Sequence, residues 1–142
     1  MTTEQIEATL DASTVERLST GLNRCFETYE PAPDLFAEDA FFDLRPPEWR
    51  FQLQGPDVFT SQLRAIAVAA STARILRVAP TTTGFVMEHE ETQHTPDPVT
   101  AHRLLWCEVR DGRITEVTVY CNGGWDSALR ARHAAEAPMI RP

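Results

Sequence analysis

The dipeptide Asp111-Gly112 stands between two long runs of β-forming residues, 99–110 and 113–121. Asp-Gly in that setting signals a two-residue hairpin, because both loop positions take positive φ. A long antiparallel ribbon must bury one of its faces against another layer. In an unbroken register Arg110 faces Arg113, Val109 faces Ile114, Trp106 faces Val117, Leu104 faces Val119 and His102 faces Cys121. One face then carries His102, Leu104, Trp106, Val117, Val119 and Cys121, and the other Arg103, Leu105, Cys107, Thr118, Tyr120 and Asn122. The first is the more apolar and is expected to turn inward. The second is mixed and suits a subunit contact, with Tyr120 near Arg103.

The elements upstream supply a covering layer. Val15, Leu18, Leu22, Phe26 and Tyr29 recur at helical spacing, so residues 13–29 read as an amphipathic helix, with Ser13 and Glu16 as its capping box. Asp34 is placed to cap a short helix through Ala37. Residues 40–45 read as a strand, and Trp49, Phe51 and Leu53 alternate with polar residues as another. Gly55-Pro56-Asp57 opens a second helix whose apolar stripe is Phe59, Leu63, Ile66 and Ala70. Residues 73–79 and 83–93 read as strands. On the latter Phe85, Met87, His89 and Glu91 share a face. Helices followed by a long antiparallel sheet define an α+β fold, with a curved sheet wrapped around the N-terminal helices and one deep apolar pocket between them.

Size and charge narrow the class. The 142 residues fit one domain, read as a flexible lead (1–12), a main unit (13–126) and a helical then extended tail (127–142) carrying Met139 and Ile140. Those two apolar residues are expected to dock, over the pocket mouth or on a partner subunit. A formal charge of −8 disfavours nucleic-acid and anionic membrane partners. The N-terminus has neither the basic nor the apolar region of a secretion signal. Three cysteines without a CxxC spacing suit a reducing cytoplasm and no cysteine zinc site.

Three segments in order carry a family resemblance. Phe36-Ala37-Glu38-Asp39-Ala40-Phe41-Phe42-Asp43, Gly55 before a helix, and the hairpin Val109 to Tyr120 around Asp111-Gly112 resemble the nuclear transport factor 2-like superfamily. The nearest branches are the SnoaL-like polyketide cyclases and ketosteroid isomerase-like proteins. The resemblance implies a cone of curved antiparallel sheet around helices, a homodimer and one deep pocket. The positions where those branches place catalytic acids fall here on Leu44, on Leu104 and Trp106, and on Asn122.

The expected catalytic groups are therefore others. With the loop after residue 93 centred near Pro96, Glu91 lies beside His102 and His89 beside Leu104. A carboxylate next to an imidazole raises its basicity, which makes His102 a general base assisted by Glu91, with His89 or Asp43 as the partner acid or base. His89, Glu91 and His102 also match a two-histidine, one-carboxylate ligand set, but His89 to His94 is not H-E-x-x-H, and no metal or other cofactor is expected. Trp49, Phe51, Phe59, Phe85, Met87, Trp106, Val119 and Cys121 are the expected ligand-binding lining, suited to a small hydrophobic molecule. Two functions follow: an acid–base enzyme (isomerase, cyclase, dehydratase or epoxide hydrolase type) on a polyketide-like or terpenoid intermediate, or a non-catalytic binding or dimeric interaction protein.

Overall fold

The computed structural model describes residues 10–141. The expectation for residues 1–9 of the lead lies outside them. The elements run α1 (Ala12–Thr28), β1 (Phe36–Arg45), β2 (Phe51–Gln54), α2 (Pro56–Ile66), β3 (Ser71–Pro80), β4 (Gly84–Gln93), β5 (Val99–Arg110), β6 (Arg113–Trp125) and α3 (Ser127–Glu136). The six strands form one curved, unclosed sheet in the order β2-β1-β6-β5-β4-β3. Pairing is antiparallel except between β1 and β6, which run parallel. The α+β architecture is the one expected. Among the described residues no helix is long and apolar enough to cross a membrane.

Helix α1 begins one residue earlier than its spacing suggests. Its N-cap is Asp11, whose Oδ1 accepts from Thr14 N at 2.8 Å and from Ser13 Oγ at 2.7 Å. The Ser13–Glu16 capping box is therefore replaced, since a carboxylate closer to the first turn accepts both donors. The helix ends at Tyr29 in the left-handed region, with its N–H on Cys25 O, before Pro31 and Pro33. The short helix expected after Asp34 is a turn leading into β1, which begins at Phe36. Gly55 opens α2 as expected, at φ 97° and with its N–H on Ala40 O at 2.8 Å. Phe59 and Leu63 of the α2 stripe are buried, whereas Ile66, at the end of the helix, is exposed.

The hairpin turns at Asp111-Gly112 as expected, and Val109 faces Ile114. Beyond that pair the register departs from the unbroken one. Glu108 faces Glu116, so Thr115 is an extra residue on β6. Thr115 Oγ1 donates to Glu108 O at 3.3 Å across this bulge. One extra residue moves every later side chain of the strand to the opposite side of the pairing. Cys107 now faces Val117, Leu105 faces Val119 and Arg103 faces Cys121. The core face of this ribbon thus carries Arg103, Leu105, Cys107, Val117, Val119 and Cys121. Leu104, Trp106, Thr118 and Tyr120 lie on the outer face.

The interior between helices and sheet is filled. Phe26, Phe42, Phe59, Phe85, Met87 and Leu105 are all essentially inaccessible. Phe42 and Phe59 stack at 4.2 Å, and Phe36 meets both rings edge-on. The residues expected to line an open pocket here, Phe59, Phe85, Met87 and Val119, are packed core instead. An apolar groove of about 430 Å³ lies on the surface, between α1 and β3, lined by Leu10, Val15, Ile75, Val78 and Pro80 among others.

Helix α3 buries no residue and is tied on by Trp125 against His133 at 5.1 Å and by Arg130 Nη1 on Trp125 O and Pro98 O. Met139 and Ile140 are exposed rather than docked within the chain. The pairing of β4 with β5 depends on Gly84, where a Cβ would stand 1.8 Å from Cys107 O. Gly84→Ala is expected to lower stability by about 2 kcal/mol or more in urea unfolding, since neither backbone can yield without breaking the ladder.

Candidate active site on the core-facing surface of the sheet

Alternation on β4 brings Phe85, Met87, His89 and Glu91 to the core face, as expected from the sequence. The partner that joins them is Arg103. In the β4–β5 ladder His89 pairs with Arg103, Glu90 with His102 and Glu91 with Ala101. The expected pairing of Glu91 with His102 is one residue out of step, because the turn around Pro96 closes one residue differently. His102 accordingly leaves the interior.

Arg103 Nη1 lies 2.7 Å from Glu91 Oε1, with both side chains largely buried. The same nitrogen lies 3.4 Å from His89 Nε2. On the other side of the ring, His89 Nδ1 is 2.8 Å from Asn23 Oδ1 on α1. The chain of contacts ends on the sheet edge, where Asn23 Nδ2 donates to Ala73 O at 3.0 Å. One turn along α1, Glu27 Oε2 accepts from Ala73 N at 2.9 Å. β3 is an edge strand, so the outward backbone groups of Ala73 lack a strand partner, and Asn23 and Glu27, spaced i and i+4, satisfy them.

Phe26 packs the cluster from the helix side. Its ring meets His89 edge-on at 4.7 Å, and the Arg103 guanidinium lies over it at 4.9 Å. This contact adds a cation–π attraction to the Glu91 ion pair. His89 is fully buried, and burial first, then the charge of Arg103, holds its pKa down to about 3. It is a neutral imidazole near pH 7. The expectation that His89 supplies an acid fails for that reason, since the remaining N–H of a neutral imidazole is too weak an acid to protonate a substrate near pH 7. Its geometry makes it a hydrogen-bonding link between Asn23 and Arg103.

Two other expected catalytic residues face outward. His102 Nε2 lies 2.6 Å from Glu88 Oε2, and Arg77 Nε donates to the other oxygen of Glu88. The His102 backbone N–H donates to Asn122 Oδ1 at 2.8 Å. Asn122 thereby spans a second irregularity of the β5–β6 ladder, between Ala101 and Arg103. Asp43 alternates with the core residues Phe42 and Leu44 and so points away from them. Arg50 grips it in bidentate fashion at 2.6 and 3.0 Å, and Arg45 lies at 3.2 Å. The two guanidinium groups hold the Asp43 carboxyl far below the usual carboxylate range, so it is a permanent anion rather than a proton carrier.

The expected lining also divides. Phe51 stays on the core side opposite Leu44, half-buried, and Cys121 faces Arg103, half-buried. Trp49 is 72% exposed in the loop before β2, and Trp106 is 44% exposed on the outer face. Trp106 is displaced by the Thr115 bulge, and Trp49 by lying just before the strand it appeared to belong to. Cys25 and Cys107 are poor nucleophiles, since burial pushes the Cys25 thiol up to about 11 and Cys107 higher still. Arg103 and Asn23 are the site residues that sequence reasoning missed. Their signal was faint: Arg103 is the one charged residue in the alternation Ala101, Arg103, Leu105, Cys107, and Asn23 precedes the buried Phe26 by three positions.

No family model and no curated relative matches the chain. Solved structures do. An LEH-like epoxide hydrolase of Mycobacterium tuberculosis superposes with a TM-score of 0.63 at 17% identity, covering 89% of this chain and 98% of that one. A protein provisionally assigned as a ketosteroid isomerase from Kribbella flavida gives 0.62 at 16% identity, covering 84% of each. An NTF2-like protein of unknown function from Mesorhizobium loti gives 0.59 at 19% identity, over 79% of this chain and 93% of that one. At such identities the likeness establishes the fold, the NTF2-like cone that the resemblance implied.

The neutral, buried His89 has a measurable consequence. Its folded pKa lies below the unfolded value of 6.5, so between pH 6.5 and about 3 the unfolded chain binds the extra proton. Stability is therefore expected to fall as pH drops through that window, by up to about 1.4 kcal/mol per pH unit. Urea unfolding at pH 7.0, 6.0 and 5.0, above the range where Asp43 protonates, measures it. His89→Gln should flatten the slope.

Proposed function

On a chain with the nuclear transport factor 2-like fold, we propose an acid–base enzyme that acts on a small, neutral, apolar molecule with its own side chains alone. The observation that carries this reading is the buried Glu91–Arg103 pair on the core-facing side of the sheet. A carboxylate there can take a proton, and a guanidinium 2.7 Å away can meet negative charge developing on a substrate oxygen. With His89 neutral, the Glu91–Arg103–His89 cluster has no net charge. Burying a charged ligand against it would cost solvation without compensation, whereas a neutral carbonyl, enol or epoxide would not. Cys121, opposite Arg103 in the β5–β6 ladder, is the flanking residue best placed to touch such a molecule. Isomerisation, cyclisation, dehydration and epoxide opening on a polyketide-like or terpenoid skeleton all fit this pair. The epoxide hydrolase and the provisionally assigned isomerase among the structural neighbours support that range.

A second reading is a non-catalytic binding protein. It is favoured by the completeness of the network: among the described residues every buried side-chain nitrogen and oxygen has a hydrogen-bond partner. A panel of small epoxides and conjugated ketones separates the two. The enzymatic reading expects turnover by the wild-type protein and a loss of about 100-fold or more in kcat/KM for Glu91→Gln with an unchanged circular dichroism spectrum. Equal turnover by both proteins would remove Glu91 from the mechanism. Saturable binding with no turnover would favour the binder.

The partner we propose besides the ligand is a second copy of the chain, seated on the outer sheet face. Leu104, Trp106 and Tyr120 are exposed there in adjoining strands. Glu108 and Glu116 face each other across the β5–β6 ladder, a like-charge pair that a cation from outside would relieve. At the other edge Arg45 and Arg50 share one carboxylate, Asp43, which leaves a surplus positive charge. Two-fold pairing can set one copy's surplus against the other's deficit. Light scattering at micromolar concentration should give a dimer, and Trp106→Glu a monomer. A monomeric wild-type protein would refute this contact. The free cysteines Cys25, Cys107 and Cys121 suit a reducing, cytoplasmic setting.

A further inference from the structure

We infer that Asn23 is a positioning residue: it fixes the buried His89 as the Nδ1–H tautomer and, through the His89 Nε2 lone pair, sets the orientation of Arg103. The inference rests on the reading of Glu91 and Arg103 as the reacting pair only in its last step, the use made of Arg103. The first two steps stand on geometry alone.

The orientation of the Asn23 amide is dictated by its far partner. Ala73 O is a carbonyl and can only accept, so the group 3.0 Å from it must be the NH₂ of Asn23. The amide oxygen then points at His89 Nδ1, 2.8 Å away. A carbonyl-type oxygen can only accept as well, so Nδ1 carries the proton. In a neutral imidazole the other nitrogen is then a bare acceptor. That nitrogen, Nε2, faces Arg103 Nη1 at 3.4 Å, and an arginine can only donate. Each link in the chain Ala73, Asn23, His89, Arg103, Glu91 thus admits one assignment of donor and acceptor.

The opposite tautomer breaks two links at once. It would set the Nε2 proton against the Arg103 donors and leave the Asn23 oxygen without a proton to accept, inside the core. Arg103 would then be held by Glu91 and the Phe26 ring alone, without the contact of the Nε2 lone pair. Asn23 is itself fixed, because Glu27 on the next turn of α1 clamps the N–H of the same Ala73. The helix, the edge strand and the guanidinium are therefore coupled through one imidazole. Besides burial, the charged and titratable groups that bear on the His89 ring are Arg103 and, next to it on β5, His102; Glu91 is taken by Arg103, and Glu27 of α1 by Ala73 N.

Long-range proton–nitrogen correlation spectra of the histidine side chains test this on the full chain at pH 7, without any ligand. The wild-type protein should show His89 neutral, with Nδ1 protonated and Nε2 bare. Asn23→Asp, which keeps the acceptor at His89 but loses the donor to Ala73 O, should retain that tautomer and raise the His89 pKa. Asn23→Leu, which removes the acceptor while Arg103 still opposes a proton on Nε2, should replace the single tautomer by a mixture of the two and move the Arg103 Nε resonance. His89 found charged or as Nε2–H in the wild-type protein would overturn the inference, even if no variant folds. So would a tautomer and an Arg103 resonance left unmoved by Asn23→Leu. Loss of the enzymatic reading through absent turnover leaves the spectra as they are, so the two failures are distinguishable.

Discussion

The pairing of β5 with β6 governs what the interior of this protein can contain. Thr115 interposes one residue after the Val109–Ile114 pair, and every side chain of β6 beyond it changes sides relative to β5. Leu105 and Cys107 then meet Val117 and Val119 as one apolar surface against which Phe42, Phe59 and Phe85 pack. The same shift carries Arg103 inward and sends Trp106 out to join Tyr120 on the outer face. A single bulge therefore fixes the composition of the core, the charged residue admitted to it and the character of the outer face.

Admitting Arg103 has an electrostatic cost that the surroundings offset. An unpaired guanidinium in the core would lose most of its hydration, and Glu91, the Phe26 ring and the His89 lone pair replace that water. The neutrality of His89 is part of the same arrangement, since a second positive charge beside Arg103 would undo the balance. The outer face solves its own problem with paired charges, Asp43 with Arg50 and Arg45 and Glu88 with Arg77, and with the His102 ring 2.6 Å from Glu88. Polar groups on the two faces thus do different things. Inside, they form a connected line from an edge-strand backbone to an ion pair. Outside, they solvate the sheet and leave an apolar strip between them.

The element order, the helix positions, the hairpin turn and the alternation of β4 were legible in the residues, because each depends on local spacing or on a turn dipeptide. Phe85, Met87, His89 and Glu91 were placed on the correct face because β4 is regular. Trp106 is misplaced because a bulge leaves no mark in an alternating pattern, Thr115 being as compatible with a regular strand as with an irregular one, and His102 because the loop around Pro96 does not fix its register to the residue. Asp43 reads as a candidate acid or base because a strand-end carboxylate looks the same in sequence whether it points to a cavity or to two arginines. Arg103 was passed over as a surface charge for the reason that hid the bulge.

The sequence by itself determined that this chain builds two amphipathic helices ahead of a long antiparallel sheet, and which residues of β4 face the core. Those properties follow from periodicity and from the positive φ that Asp111 and Gly112 accept. The tertiary structure alone decided which of the polar residues meet. Register across strands and the approach of α1 to the β3 edge are set by the packing of the whole core. No local pattern records that Asn23, His89, Glu91 and Arg103, up to 80 positions apart in the chain, end within one line of hydrogen bonds.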